Sequence, residues 1–279
     1  MKHPIRLLAL DLDGTVLNDA KHISPANRYA IQDALAAGVT VVPASGRPLD
    51  GLCPEFLDIP GVQYALTSNG AALYRLRDKA LLYHECLPTG TAADIMAALE
   101  HKRMLATFFL NGKGYVPARQ LPYLDELPLS QPIRDYLRAT RTPLEDAAGF
   151  IREQGNVEKF SINFFHNPDG SRVDNDAIEG VLRRYPDLSA VSGGTDNLEL
   201  TAPKANKGAA LLALAEFLGI PRAATMACGD SENDVAMLDA AGLGVAMANS
   251  EACVFAHADV TTVSNEEDGV AKAIYDYIL

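Results

Sequence analysis

The chain begins with an almost continuous apolar run that stops at an acidic residue. Residues 5–10 read Ile-Arg-Leu-Leu-Ala-Leu and lead directly into Asp11. A short run with so few polar positions is typical of a central parallel strand that is covered on both faces. We therefore predict a buried strand whose carboxyl end, where ligands bind in parallel sheets, lies at Asp11.

A helix and a second strand follow this first strand. Ser24 can cap the helix, Pro25 suits its first position, and apolar residues recur at helical spacing as far as Leu35. Gly38 can end the helix, and residues 39–43 read as a second buried strand. This strand, helix, strand order predicts a right-handed crossover and a parallel sheet.

The same alternation returns near the carboxyl end of the chain. A helix is predicted from Lys207 to Leu218, another at about 233–240, and strands at 225–228 and 244–247. The strand at 64–67 ends in Ser-Asn-Gly, so we assign it to the same sheet edge as the other polar strand endings. The predicted fold class is α/β, with a doubly wound, Rossmann-like parallel sheet as its core.

The middle of the chain has a different pattern. Apolar and polar residues alternate over 80–84, 104–110 and 157–165, as in strands of an antiparallel or mixed sheet. Helical spacing appears near 92–100, 133–138 and 175–184, and Asn111-Gly112 is a hairpin turn signal. We predict a core of residues 1–84 and 193–279 and an inserted α+β cap domain of residues 85–192.

Composition narrows the range of partners. The net charge of −12 argues against nucleic acid, because affinity for the phosphate backbone comes from clustered Lys and Arg. No apolar run approaches the roughly 20 residues that cross a bilayer, and the first residues do not resemble a secretion signal. A cytoplasmic protein with no membrane or nucleic-acid partner is expected, and no feature of the sequence indicates its oligomeric state.

Two acidic clusters follow two of the predicted strands. Asp11 and Asp13 are two residues apart, so on extended backbone both side chains point the same way, and Gly14 allows the chain to turn. Asp230 and Asp234 follow the strand at 225–228. Each cluster alone is also consistent with a turn or a helix cap. Together they supply the oxygen ligands that suit Mg²⁺.

Hydroxyl, backbone and cationic donors complete the candidate site. Ser45, Gly46 and Arg47 follow the second strand, and Lys207 opens a later helix. A transferred phosphoryl group needs such donors for its oxygens. Arg47 alone is more typical of a surface ion pair, and Lys207 of a solvated lysine. The helix dipole disfavours a cation at a helix amino terminus, however, so the position of Lys207 indicates a functional role.

Taken in order, these motifs resemble those of the haloacid dehalogenase superfamily of phosphatases, in its Cof-like branch with a large C2-type cap. The motifs span residues 11 to 238 and read Asp-Leu-Asp-Gly-Thr-Val-Leu, Ser-Gly-Arg-Pro, Asn-Lys-Gly and Gly-Asp-Ser-Glu-Asn-Asp-Val-Ala-Met-Leu. The insertion between Arg47 and Lys207 is similar to the family's cap. The resemblance implies a phosphatase that uses Mg²⁺.

The resemblance also implies a role for each matching residue. Asp11 would attack phosphorus to form an aspartyl phosphate, while Asp13 would protonate the leaving oxygen and later activate water, which suits an environment that raises its pKa. Lys204 lies three residues before Lys207 and is the alternative catalytic lysine. The resemblance further implies that Ser45 and Lys207 are catalytic groups that bind the phosphoryl group. The residues implied to bind substrate are Gly46, Arg47, Asn69 and Asn233. The residues implied to bind the metal are Asp11, Asp13 (through its carbonyl), Asp230 and Asp234.

The expected substrate is a small phosphorylated metabolite such as a sugar phosphate, with the cap closing over the site to exclude water. A phosphomutase and a non-catalytic phosphate-binding protein of the same fold remain as alternatives. A dinucleotide-binding dehydrogenase is disfavoured, because acids follow the first strand where a glycine-rich loop would be needed. Lys159, Asn163 and His166 are candidates for specificity in the cap, although a structural role is the stronger expectation for each.

Overall fold

The strands of the protein include the runs predicted from the apolar pattern. A computed structural model describes residues 4–192 and 196–279. Its strands, in chain order, are β1 (Leu7–Leu10), β2 (Thr40–Pro43), β3 (Tyr64–Thr67), β4 (Ala72–Arg75), β5 (Ala80–His84), β6 (Met104–Leu110), β7 (Lys113–Pro117), β8 (Arg141–Leu144), β9 (Val157–Phe164), β10 (Ser189–Val191), β11 (Asn197–Thr201), β12 (Thr225–Gly229), β13 (Leu243–Ala246) and β14 (Val260–Thr261).

The helices follow the predicted caps. Ser24 accepts a hydrogen bond from the backbone N–H of Asn27 and begins the first helix, and Gly38 follows its end with a φ of +86°. The α-helices are α1 (Pro25–Ala36), α2 (Pro54–Leu57), α3 (Thr89–Leu99), α4 (Gln131–Thr140), α5 (Ala147–Gln154), α6 (Asn175–Arg184), α7 (Lys207–Phe217), α8 (Val235–Ala240) and α9 (Gly269–Tyr277).

The central sheet is parallel, as predicted. Its strand order is β14-β13-β12-β1-β2, so β1 lies between β12 and β2 and pairs in parallel with both. Leu7 and Ala9 of β1 pack in one apolar cluster with residues of α7 and α8, whereas Leu8 and Leu10, also buried, point to the opposite face. The α/β fold class with a doubly wound parallel core is confirmed.

The assignment of strand β3 to the central sheet is confirmed only in part, because β3 joins that sheet through an isolated bridge. β3 pairs antiparallel with β4 in a separate sheet of order β3-β4-β5. A single parallel bridge from Ala44 to Leu66 and a 2.9 Å hydrogen bond from Ser45 N–H to the Leu66 carbonyl join it to the end of β2. The polar ending of β3 was read correctly, but its pairing depends on the β3–β4 turn, which the apolar pattern does not report.

The chain divides into two units. The first contains the residues up to Arg47, Leu52–His84 and Asn206–Leu279, and the second contains Pro48–Gly51 and Glu85–Ala205. The predicted end of the insertion at residue 192 is therefore corrected to Ala205. The reason is that β11 pairs antiparallel with β9 and with β10, which are strands of the second unit.

The second unit is built on a sheet of order β10-β11-β9-β6-β7-β8. Its pairs are antiparallel except β7 with β8, as expected for an α+β domain. The predicted hairpin joins β6 to β7, and Asn111 and Gly112 both have positive φ, of 50° and 76°. Helix α3 packs against α5 and α6 in this unit.

In the part of the chain that the structure describes, no helix is long and apolar enough to cross a membrane.

Candidate active site

The ends of two neighbouring strands bring the acidic residues together. Leu10 of β1 lies opposite Cys228 of β12, and the backbone N–H of Asp11 donates to the Cys228 carbonyl at 3.0 Å. Asp11 and Asp230 therefore leave the sheet side by side. One carboxylate oxygen from each of Asp11, Asp230 and Asp234 lies within 4.8 Å of the other two, and all three residues are buried.

A lysine is buried among these acids. Lys207 begins helix α7 after its cap residue Asn206, and its side chain is fully buried. Its Nζ lies 2.6 Å from an oxygen of Asp11 and 2.6 Å from an oxygen of Asp234. The interpretation of Lys207 as a solvated lysine is therefore wrong. Lys204, the alternative, is exposed.

Burial and charge shift the protonation of this group in opposite directions. Burial lowers the pKa of Lys207, but the carboxylates of Asp11 and Asp234 raise it above its ordinary value, so the lysine is charged. Burial raises the pKa of Asp11, and the negative charges of Asp234 and Asp230 raise it further against the pull of Lys207. The site thus holds more negative charge than one lysine offsets.

That excess of negative charge fits a divalent cation. Burial also raises the pKa of Asp230, and the charge of Asp234 adds to the effect. A cation bound between Asp11 and Asp230 would offset this repulsion, and carboxylate oxygens are ligands that Mg²⁺ accepts. The donor set is therefore suited to the metal that the sequence predicts.

Asp234 has its oxygens engaged by the protein. Its Oδ1 accepts a hydrogen bond from Lys207 Nζ. Its Oδ2 accepts hydrogen bonds from the backbone N–H groups of Asp230 and Ser231 at 3.0 and 3.1 Å. These contacts close the turn between β12 and α8, and a short 3-10 turn at Glu232–Asp234 delays the start of α8 to Val235. The geometry favours Asp234 as a residue that orients the lysine and the backbone of Asp230.

Asp230 is fixed from the first motif. The hydroxyl of Thr15 donates to its Oδ1 at 2.8 Å, and the hydroxyl of Ser231 donates to its Oδ2 at 2.9 Å. Gly14 has a φ of +89°, and a Cβ added there would lie 2.5 Å from Asp230 Oδ2. Only glycine allows the backbone after Asp13 to approach the second acid this closely.

The carboxylate of Asp13 lies in an ion-pair network of its own. Arg47 contacts both of its oxygens, with Nη2 at 2.8 Å from each and Nε at 3.1 Å from Oδ2, and Lys21 Nζ lies 2.9 Å from Oδ1. Partial burial raises the pKa of Asp13, but Arg47 and Lys21 together bring it below its ordinary value. The raised pKa that we expected for Asp13 is not found in this state.

The remaining predicted residues lie on connected loops. Ser45 is buried, and its hydroxyl oxygen accepts the backbone N–H of Arg47 at 3.2 Å. The N–H of Asn69, a left-handed residue with a φ of 58°, donates to the Ser45 carbonyl at 3.1 Å, and the Asn233 amide donates to Asn69 Oδ1 at 3.2 Å. Gly46 is half-buried between Ser45 and Arg47.

The specificity candidates in the second unit have protein partners there. Lys159 is buried with Nζ 2.5 Å from Glu199, and the Asn197 amide donates to the side chain of Asn163 at 3.3 Å. His166 Nδ1 lies 3.3 Å from a carboxylate oxygen of Asp196. These contacts agree with the structural role that we expected, and a role in specificity stays a prediction.

Sequence reasoning missed contacts that the fold creates. Thr15 was read only as part of a motif, although a hydroxyl next to the acids is a visible signal for a carboxylate partner. Lys21 and Asn249 were not identified at all. The amide of Asn249 donates to the Gly14 carbonyl at 2.8 Å. Nothing in the local sequence around Lys21 or Asn249 reports these contacts, because both depend on how distant turns fold back.

Comparison with known proteins agrees with this geometry. The family model described as haloacid dehalogenase-like hydrolase matches residues 8–274. Phosphatase YwpJ of Bacillus subtilis is 33% identical over 279 residues, which cover 96% of this chain and 98% of the relative. The 5-amino-6-(5-phospho-D-ribitylamino)uracil phosphatase YcsE of the same organism is 32% identical over 280 residues, with 99% and 96% covered. A crystal structure of a haloacid dehalogenase-like hydrolase from Bacteroides thetaiotaomicron superposes with a TM-score of 0.80 at 26% identity, covering 98% of this chain and 99% of that chain.

Proposed function

This chain belongs to the haloacid dehalogenase-like hydrolase family, in its Cof-like phosphatase branch, and from that premise we propose that it is a Mg²⁺-dependent phosphatase with Asp11 as nucleophile. The observation that carries the proposal is the buried contact of Lys207 with Asp11 and Asp234 at 2.6 Å beside Asp230. A fixed cation at the nucleophile offsets the charge that accumulates when a phosphate ester approaches a carboxylate.

In the first step an oxygen of Asp11 attacks phosphorus, and the bond from phosphorus to the ester oxygen breaks. The carboxyl group of Asp13 gives its proton to the departing alcohol. In the second step the Asp13 carboxylate accepts a proton from water, whose oxygen displaces Asp11 and releases inorganic phosphate. Each residue thereby returns to its starting protonation state.

The lowered pKa of Asp13 bears on this assignment. Arg47 and Lys21 favour the carboxylate form of Asp13, which is the form that accepts a proton from water. A phosphate ester brings negative charge to the site, and this charge opposes the effect of the two cations. Binding of substrate is therefore expected to favour the protonated form that the first step needs.

Other residues would bind the transferred group. The Ser45 hydroxyl oxygen accepts from the Arg47 backbone, which leaves its own proton for a phosphoryl oxygen. Gly46 and Arg47, with Asn69 and Asn233 beside Ser45, are proposed to contact substrate. Asp11, Asp230 and the carbonyl of Asp13 would hold Mg²⁺, which supplies positive charge at the phosphoryl group.

The proposed substrates are small phosphorylated metabolites, with sugar phosphates as the first candidates. The substrate in the name of the relative YcsE carries its phosphate on a ribityl group. This supports including sugar and polyol phosphates among the compounds tested. We propose that residues of the second unit select among them. The cap role of that unit rests on the family resemblance.

A panel of phosphorylated metabolites tests the activity by release of inorganic phosphate. The protein with Mg²⁺ should release phosphate, excess EDTA should abolish the release, and Asp11→Asn should lower turnover by at least about a thousandfold. Asp58→Asn, which changes an exposed acid of the same unit, is the matched control and should retain activity.

Three results would count against the proposal. Full turnover in EDTA would exclude a requirement for the metal, and near-normal turnover of Asp11→Asn would exclude Asp11 as the nucleophile. Formation of a phosphate isomer without release of inorganic phosphate would indicate a mutase. Circular dichroism of Asp11→Asn separates lost chemistry from lost folding.

A further inference from the structure

Lys21 occupies an unusual backbone position next to the site. It lies in the turn after the first motif, where Leu17 forms isolated bridges with Asp13 and with Ile23. Its φ is +64°, in the left-handed region that glycine and asparagine favour and that a lysine adopts at a cost. Strained residues of this kind concentrate at functional sites.

The turn that holds Lys21 is fixed by hydrogen bonds. The Lys21 N–H donates to the Asn18 carbonyl at 2.8 Å, and the N–H of His22 donates to the Asn18 side chain at 2.9 Å. Two more distant residues anchor the segments on either side. Glu55 accepts the N–H of Ile23 at 3.1 Å, and the amide of Asn265 donates to the carbonyl of Leu17 at 3.1 Å. The backbone of Lys21 is therefore held in place by two other segments of the chain.

From this fixed turn the side chain of Lys21 reaches Asp13. Its Nζ lies 2.9 Å from Asp13 Oδ1, the oxygen that also receives Arg47 Nη2 at 2.8 Å. Of the two cations in this network, Arg47 alone donates to Asp13 Oδ2. Lys21 and Arg47 thus approach the carboxylate from two different segments and together define its orientation.

Stability does not account for this arrangement. The side chains of Lys21 and Asp13 are 54% and 39% exposed, and exposed ion pairs contribute little to folding. A glycine or asparagine at position 21 would relieve the backbone, yet the chain carries a lysine whose ammonium group contacts the proposed acid. The position is better explained by what Lys21 does to Asp13.

We propose that Lys21 is a positioning residue that orients the Asp13 carboxyl group for proton transfer to the leaving oxygen. This inference rests on the proposed function of Asp13. Lys21 does not need to touch the substrate, because its effect passes through the orientation of Asp13. Its removal should therefore slow hydrolysis most where the leaving group depends most on a proton donor.

Two substrates of different leaving-group strength test this inference. An alkyl phosphate releases an alkoxide that needs a proton, whereas p-nitrophenyl phosphate releases a phenolate that needs little help. In Lys21→Met we expect kcat/KM, which reports the first step, to fall about tenfold for the alkyl phosphate and less than about twofold for p-nitrophenyl phosphate, since protonation of the leaving group belongs to that step. Lys21→Arg should restore most of the lost rate.

Lys79 offers a matched control. It is an exposed lysine in the same unit with a φ of +52°, in the turn between β4 and β5. Lys79→Met should leave both rates unchanged. Lys21→Gly, which also relieves the backbone, should show the same selective loss as Lys21→Met together with a higher melting temperature.

The Asp13→Asn variant separates failure of this inference from failure of the proposed function. Asp13→Asn should lower the rate for the alkyl phosphate more than the rate for p-nitrophenyl phosphate. If it does so while Lys21→Met lowers neither rate, or lowers both rates equally, the role of Lys21 is refuted and that of Asp13 stands. If Asp13→Asn itself shows no selectivity, the general-acid assignment fails, and the role of Lys21 fails with it.

Discussion

At the scale of single residues, Lys207 and Asp234 carry the fully buried charges of the site. Removing one partner of a buried ion group leaves the other charges without compensation, which typically costs about 3–5 kcal/mol. We expect Lys207→Met to lower the free energy of unfolding by about this amount and to abolish turnover, because Asp11, Asp230 and Asp234 are left to repel one another. Urea unfolding and phosphate release measure the two effects.

Lys204→Met is the control for this prediction. Lys204 is exposed, so its replacement should change the free energy of unfolding by no more than about 0.5 kcal/mol and leave turnover intact. Loss of turnover in Lys204→Met with normal turnover in Lys207→Met would reverse the assignment of the catalytic lysine.

Residues differ in how far their roles could be predicted. Asp11 and Asp230 could be found because each follows a buried strand, and strand ends are readable from the apolar pattern. A functional role of Lys207 was predicted from its unfavourable place at a helix amino terminus, whereas its burial was not predicted. The lowered pKa of Asp13 was not predictable, since it comes from contacts of the carboxylate with Arg47 and with Lys21, and the contact with Lys21 depends on a left-handed turn that no local pattern of side chains encodes.

At the scale of elements, the turn after β1 determines where Asp230 lies. Gly14 and Gly38 have similar positive φ angles of +89° and +86°, but a Cβ at Gly14 meets Asp230, whereas one at Gly38 meets no atom of residues 4–192 or 196–279 within 4 Å. Each change to alanine should cost roughly 1–2 kcal/mol of stability from the backbone alone. Only Gly14→Ala should also lower turnover, by about a hundredfold for a displacement of about 1 Å.

The comparison of the two variants isolates the steric contact from the backbone strain. Thermal unfolding gives the common loss of stability, and phosphate release gives the difference in turnover. Equal turnover in Gly14→Ala and Gly38→Ala would mean that Asp230 tolerates displacement, and its proposed role in holding the metal would be lost.

Elements were predictable where a local signal exists. The caps of α1, the bounds of β5 and β6 and the Asn-Gly hairpin follow from adjacent residues, and the structure confirms them. The partner of a strand is a different matter. β3 was recognised as a strand, yet it pairs along its length with β4, which we did not assume, because pairing is decided by turns and packing outside the strand itself.

At the scale of the whole molecule, folding stability should depend on the bound cation. Burial and mutual repulsion raise the pKa values of Asp11 and Asp230, so the folded protein holds their protons more tightly than the unfolded chain does. The stability linked to these groups is therefore present below the ordinary pKa of 3.8 and is lost as pH rises through the raised values. Asp230→Asn removes one of the repelling charges, so at pH 7 in EDTA it should be more stable than the wild type.

Magnesium should reverse that order. A ligand that binds only the folded state stabilises it by about 2.7 kcal/mol at a concentration one hundred times its dissociation constant. The wild type should gain this increment, whereas Asp230→Asn, with one of the proposed carboxylate ligands removed, should gain much less. Denaturant unfolding of both proteins in EDTA and in Mg²⁺ measures this reversal of their order of stability. The control Asp58→Asn, which retains all the acids of the cluster, should behave as the wild type does in both conditions. An equal gain in Asp230→Asn would place the cation elsewhere, and a wild type that is unaffected by Mg²⁺ would leave Lys207 as the cation that balances the site.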